Sequence, residues 1–180
     1  MPSANADRHA SLPMIFMDTC SLLDSCWVKA SHGAFVYSSA KEQMFWNREL
    51  PALLAMGDVY LALRNYQELE KFAFGNYPKE GLTKRAQLIL HKVRPFIESG
   101  QIQIAGDFND PFADAILLSV ALKFRTQRNL AFITQDRNLA SDLEAIRHFK
   151  SVRPRNGYEI KVRRIGNSGA IEPHKRLKSN

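Results

Sequence analysis

The chain of 180 residues has the size of one α/β domain carrying a short appendage. Hydrophobic residues make up 45% and charged residues 24%, a globular balance that excludes a fibrous chain or one disordered throughout. No apolar run approaches the roughly 18 residues of a membrane helix, and Met1 to Ser11 carries Asp7, Arg8 and His9 where a secretory signal needs an apolar stretch. A cytoplasmic protein with no membrane partner is therefore expected. The two cysteines agree with a reducing setting. Cys20 and Cys26 lie six apart in a segment that reads as helix, where about 9 Å of rise separates them, too far for a disulfide.

The net charge of +7 is unevenly placed. Residues 1–150 hold 17 Lys or Arg against 16 Asp or Glu, whereas residues 151–180 hold eight basic residues against Glu159 and Glu172. Such a local surplus suits a polyanion, and equally suits a solvated end that keeps the chain soluble. The division that follows is a flexible N-terminus over 1–12, a domain over 13–150 and a basic C-terminal extension over 151–180.

In chain order, Met14 to Met17 reads as a buried strand ending at Asp18, followed by a helix from Thr19 to about Val28. Residues 29–48 read as loop with some helix. A helix over Glu49 to Met56 is stopped by Gly57. Val59 to Ala62 is a second strand leading into a helix over Asn65 to Phe74. After the turn signal Gly75-Asn76-Tyr77-Pro78 comes a long amphipathic helix that ends at Gly100, with Leu82, Leu88, Leu90, Val93 and Ile97 on its apolar stripe. Ile102 to Ile104 is a short strand. Asp110-Pro111 opens a strongly apolar helix to Phe124, Asn129 to Thr134 is a strand, and Arg137 to Phe149 a helix. Tyr158 to Ile165 alternates as a strand with a charged face, and Gly166 to Gly169 is a turn. Strands separated by helices of ten or more residues predict an α/β fold with a mostly parallel sheet covered on both faces. In such folds the functional groups gather at the carboxyl ends of the strands.

Carboxylates fall at those ends. Asp18 closes the first strand, Glu68 lies one turn into the helix after the second, Asp110 and Asp114 share a face of their helix, and Asp136 follows the fourth strand. Converging carboxylates repel one another unless a cation joins them, and Mg²⁺ or Mn²⁺ favours such hard oxygen ligands. One or two ions of this kind support phosphodiester hydrolysis. Each position also has a plain structural use. Asp18 and Asp136 can be N-caps. Asp110, with Pro111 at the first helical position, suits a cap better than a ligand. Asp114 lies past the cap on an apolar helix, which favours a functional use.

Four segments in order resemble the motifs of PIN-domain nucleases. These are Ile15-Phe16-Met17-Asp18-Thr19-Cys20-Ser21, Tyr66-Gln67-Glu68-Leu69, Ala113-Asp114-Ala115-Ile116 and Phe132-Ile133-Thr134-Gln135-Asp136. The resemblance covers about residues 13–150 and is to the toxin ribonucleases and related endonucleases of that family, although the region over 29–57 is longer than in the compact toxin members. It implies a Rossmann-like α/β/α sandwich with a central parallel sheet and metal-dependent endoribonuclease activity. By residue, it implies that Asp18, Glu68, Asp114 and Asp136 hold Mg²⁺ or Mn²⁺ and carry catalysis. Thr134 would orient Asp136 or a water, with Asn138 and Asp110 in support. The products implied are a 5′-phosphate and a 3′-hydroxyl, the partners RNA, a protein antitoxin and a second copy of the chain. Many members have a further Asp where this chain has Asn138, whose amide adds no charge, so one metal or two remains open.

Arg125, Arg128 and Arg137 flank the last two motifs and can steer phosphate or serve as ordinary helix-end charges. Arg163 and Arg164 are further candidates for nucleic-acid contact, and they place the tail's charge on a strand that docks at the sheet edge or on a partner. The leading expectation is a Mg/Mn-dependent ribonuclease. A PIN-like module that only binds RNA or protein, and a DNA-directed nuclease of the same type, are the alternatives. An aspartate-nucleophile phosphatase wants a second Asp two positions after the first, where Cys20 stands.

Overall fold

A computed structural model describes residues 12–75, 80–107, 113–148 and 158–174. Strand β1 (Met14–Met17) is buried at all four positions, as a central strand covered on both faces must be. It pairs in parallel with β4 (Asp58–Ala62) on one side and β6 (Leu130–Ile133) on the other, with Ile15 opposite Val59 and Ala131. Strand β5 (Ile102–Ala105) extends the sheet beyond β4, and β7 (Ile160–Ile165) extends it beyond β6, both in parallel. An antiparallel edge strand, β8 (Ile171–Pro173), completes the order β5-β4-β1-β6-β7-β8. The chain therefore runs outward to one side of β1 and later to the other.

Alternation along β1 feeds two cores. Ile15 and Met17 pack with α1 (Thr19–Asp24), α4 (Leu63–Phe74) and α5 (Glu80–Glu98) through Leu22, Leu69 and Ile89. Met14 and Phe16 pack with α6 (Ala113–Phe124) and α7 (Arg137–His148) through Leu117, Ala121 and Leu143. The Phe16 ring stacks between its two register neighbours, Tyr60 at 5.1 Å and Phe132 at 5.4 Å. A six-stranded, mostly parallel sheet with helices on both faces is the architecture expected from the alternation of elements. No helix among the described residues is long and apolar enough to cross a membrane.

The structure departs from the sequence expectation in three places. First, the helix after β1 stops at Asp24 rather than near Val28. The Ser25 hydroxyl donates to the Leu22 carbonyl at 2.7 Å. Trp27–Lys29 then forms β2, antiparallel to β3 (Phe35–Tyr37). Aromatic and β-branched side chains favour this hairpin, and Cys26 falls outside the helix; both cysteines are free. Second, the stretch over 29–48 read as loop with some helix carries α2 (Ser39–Met44) and a π-helical turn over Phe45–Glu49, which lead without a break into α3 (Leu50–Met56), the helix expected there. Ser38 caps this run by accepting from the Lys41 amide at 3.3 Å. Gly57 ends it where a Cβ would lie 2.4 Å from the Pro13 carbonyl oxygen, so the return into β4 needs glycine there.

Third, the strand expected over Tyr158 to Ile165 does dock on the main sheet as β7, but the antiparallel β8 beyond it was not expected. Ile160 and Val162 are buried in the core that contains α6 and α7, and Ile165 in the opposite one. Gly169 turns the β7–β8 hairpin at φ +93°, and a Cβ there would lie 2.4 Å from the Lys41 carbonyl oxygen. The hairpin is thereby pressed against α2.

Candidate active site

The strand order reverses between β1 and β6, the kind of switch point at whose carboxyl ends open α/β sheets bind their ligands. Asp18 leaves β1 at this point, and Thr134 to Asp136 leave β6. Asp18 is buried, and its side chain makes no capping bond to α1; only its backbone carbonyl accepts from the Ser21 and Leu22 amides. The carboxylate is held instead by three donors. Asn65 Nδ2 reaches Oδ1 at 2.9 Å, Thr134 Oγ1 reaches Oδ2 at 2.9 Å, and the Cys20 thiol also donates to Oδ2. Burial nevertheless raises its pKa above the ordinary aspartate range, and the charge of Asp136 adds to the rise.

Asp136 does act as a cap. Its Oδ1 accepts from the Asn138 and Leu139 amides at 2.7 and 3.1 Å, which aligns α7. Capping and ligand roles are compatible here, because a carboxylate has further lone pairs. The Thr134 hydroxyl accepts from the Asp136 amide at 2.9 Å while donating to Asp18. Thr134 thus orients Asp18, and it holds Asp136 through that residue's backbone amide, where the resemblance implied that it orients Asp136 or a water.

Glu68 lies exposed on α4, and Asp114 exposed in the first turn of α6. Desolvation raises both carboxyl groups, and then their neighbours' charges do: Asp18 and Asp114 act on Glu68, Asp18 and Asp136 on Asp114. The four sequence-selected carboxylates therefore share one electrostatic neighbourhood. Their all-oxygen donor set and mutual repulsion fit a hard divalent cation. Among the described residues, no group of three or more His, Cys, Asp or Glu side chains is placed to hold a metal ion. Asn138 is exposed and joins the site only through its backbone amide. Asp110 lies outside the described residues.

The arginines separate. Arg125 is buried and donates to the Ile146 carbonyl, and Arg128 donates to the Leu12 carbonyl at 2.7 Å and to Asp58 at 2.6 Å. Asp58 begins β4, so Arg128 belongs to the amino ends of the strands, opposite the carboxylates. The expectation that Arg125 and Arg128 meet nucleic acid beside the carboxylates is corrected: one is spent inside the fold, the other at its far end. Arg137, exposed at the start of α7, stays on the side of the carboxylates. Arg163 is half-buried on β7, and Arg164 is ion-paired with Glu172.

Two contributors escaped the sequence reading. Asn65 is buried at the start of α4, where it also accepts and donates around Thr19: its carbonyl takes the Thr19 hydroxyl at 3.1 Å, and its Nδ2 reaches Thr19 Oγ1 at 3.0 Å. Its spacing of three from Glu68 on one helix was the available signal. Cys20 bridges Asp18 to the β6 connection, accepting from the Gln135 amide at 3.4 Å. Burial and the adjacent Asp18 charge push its thiol pKa far up, so it serves as a donor. The chain matches no model of a known protein family, and no curated protein matches it.

Proposed function

We propose that this protein is a metal-dependent endoribonuclease of the PIN type. The observation that carries the proposal is Asp18. It is a buried carboxylate withheld from helix capping, held by Asn65 and Thr134 at the sheet's crossover point, and it shares its field with Glu68, Asp114 and Asp136. A structural carboxylate would more economically cap its helix or pair with a cation, and burying it among like charges is unfavourable without a ligand.

Asp18, Asp114 and Asp136, with Glu68, would hold one or two Mg²⁺ or Mn²⁺ ions, which when bound supply acidification of water and neutralisation of phosphate charge. The chain's own residues do the positioning. Asn65, Thr134 and Cys20 fix both oxygens of Asp18, the α7 amides fix Asp136, and Glu68 and Asp114 are exposed to an incoming substrate. The family resemblance extends the proposal to the toxin half of a toxin–antitoxin pair and to a homodimer.

Cleavage of a mixed single-stranded RNA pool with Mn²⁺, Mg²⁺ or EDTA, wild type beside Asp114→Asn, tests it. Cutting abolished by both EDTA and the substitution supports the nuclease. RNA bound but uncut would favour an inactive binding module, and cutting confined to DNA would favour the DNA-directed nuclease.

A further inference from the structure

Beside the carboxylates lies a second feature that the metal chemistry does not use. A cavity of about 330 Å³ opens between the β2–β3 hairpin, the start of α2, the connection after β6 and the β7–β8 turn. Its size is at the lower end of small-ligand sites, roughly 300–1,000 Å³. Lys29, Lys41, Arg137 and Arg164 line it together with the rings of Trp27 and Phe35.

The charges differ in their commitments. Lys41 is buried and donates to the Trp27 carbonyl at 2.9 Å, Arg164 pairs with Glu172, and the lining Asp24 is taken by Arg85. Lys29 and Arg137 are exposed. The Arg85 guanidinium also lies 3.8 Å from the centre of the Phe35 ring, holding that ring from one side, while Phe35 remains 41% exposed. Positive charge and aromatic surface together call for a ligand that brings negative charge and a flat ring.

The cavity and the carboxylates share a wall. Gln135 lines the cavity, donates through Nε2 to the Ile165 carbonyl at 2.7 Å, and through its amide reaches Cys20, which donates to Asp18. Asp136 and Arg137 are consecutive, so one faces the metal chemistry while the next lines the cavity.

We infer that this cavity is a substrate subsite holding one nucleotide of the single-stranded RNA next to the scissile phosphate. The base lies against Trp27 and Phe35, and the phosphate is met by Lys29 and Arg137. The assignment rests on the nuclease proposal for its substrate, but its test does not need cleavage. Binding of a fluorescein-labelled single-stranded RNA ten nucleotides long is measured by anisotropy in EDTA, across a salt series, with AMP and inorganic phosphate as competitors. The proteins are wild type, the double variant Lys29→Ala/Arg137→Ala, and Phe35→Ala, all altered at exposed side chains.

The double variant is expected to bind at least tenfold more weakly, with a salt slope smaller by about 0.7, the value for one phosphate no longer neutralised on a single strand. Phe35→Ala should weaken binding with the slope unchanged, and AMP should compete better than inorganic phosphate. Wild-type affinity and slope in the double variant would overturn the subsite, as would AMP competing no better than phosphate. Loss of binding in these variants, with no cleavage by wild type plus Mn²⁺, would keep the subsite and remove the nuclease. Cleavage with unaltered binding would do the reverse.

Discussion

Asn65 and Asp18 are 47 positions apart, yet the Asn65 amide nitrogen lies 2.9 Å from Asp18 Oδ1. The contact joins the helix after β4 to the end of β1, and with Thr134 from the end of β6 it fixes both carboxylate oxygens. Replacing Asn65 with Ala leaves a buried carboxylate oxygen without its donor, at a cost of about 1–3 kcal/mol. Urea denaturation should show that loss, and metal-dependent RNA cleavage should fall at least tenfold. Unchanged cleavage in a folded Asn65→Ala protein would assign the contact to stability alone.

The raised carboxyl groups set the sign of the pH dependence. Asp18, Glu68 and Asp114 bind protons more tightly folded than unfolded. Metal-free stability is therefore lost as pH rises from the ordinary carboxylate range, about 4, through their raised values. Melting in EDTA should show this decline, and Mn²⁺ should offset it at neutral pH. Asp114→Asn should melt higher than wild type in EDTA at pH 7 and gain less from Mn²⁺. Equal gains in both proteins would place the metal elsewhere.

Cys20 keeps its proton because burial and Asp18 both oppose the thiolate, and Cys26 is raised by burial as well. Alkylation by iodoacetamide at pH 8, followed by mass spectrometry, should modify neither residue in the folded protein and both after denaturation. Cys20→Ser, which retains a donor to Asp18, should preserve cleavage better than Cys20→Ala. Rapid native labelling of Cys20 would contradict its place behind Asp18.

The C-terminal hairpin is held by glycine. Gly169→Ala combines a left-handed backbone, costing about 1–3 kcal/mol, with a collision at the Lys41 carbonyl. A clear drop in melting temperature is expected. Truncation after Ser151 should go further and expose β6 as an unpaired edge, favouring aggregation. A truncated chain that melts like wild type would refute this.

Arg125 and Arg137 provide a contrast. Arg125→Met removes a buried donor to the Ile146 carbonyl, so stability should fall by about 1–3 kcal/mol while RNA affinity at 25 °C stays as in wild type. Arg137→Ala should do the opposite. Denaturation curves beside anisotropy titrations separate the two effects.

Much of the frame was legible along the chain. The apolar run Met14–Met17, the long stripe of Leu88 to Ile97 and the Gly57 and Gly100 stops announce an alternating α/β chain, because burial on both faces and helical period leave local traces. Asp18, Asp114 and Asp136 stood out as carboxylates at strand ends or on an apolar helix, whereas Glu68 gained weight only from its place in that set. The β2–β3 hairpin and the β8 edge were not legible, since three-residue strands carry too little pattern to separate from loop.

Arg125 and Arg128 look alike in sequence, and only packing sends one under Ile146 and the other to Asp58, far from Arg137. The same holds for Asp18 and Asp136, both equally good caps on paper. The sequence by itself determined the order of elements and the chemical character of the candidate groups, because those follow from local propensity and side-chain type. Which carboxylate caps, which arginine is buried, and which basic and aromatic residues come to share a cavity with Gln135 were decided only by the tertiary structure. These depend on contacts between residues far apart in the chain, set by sheet order and register.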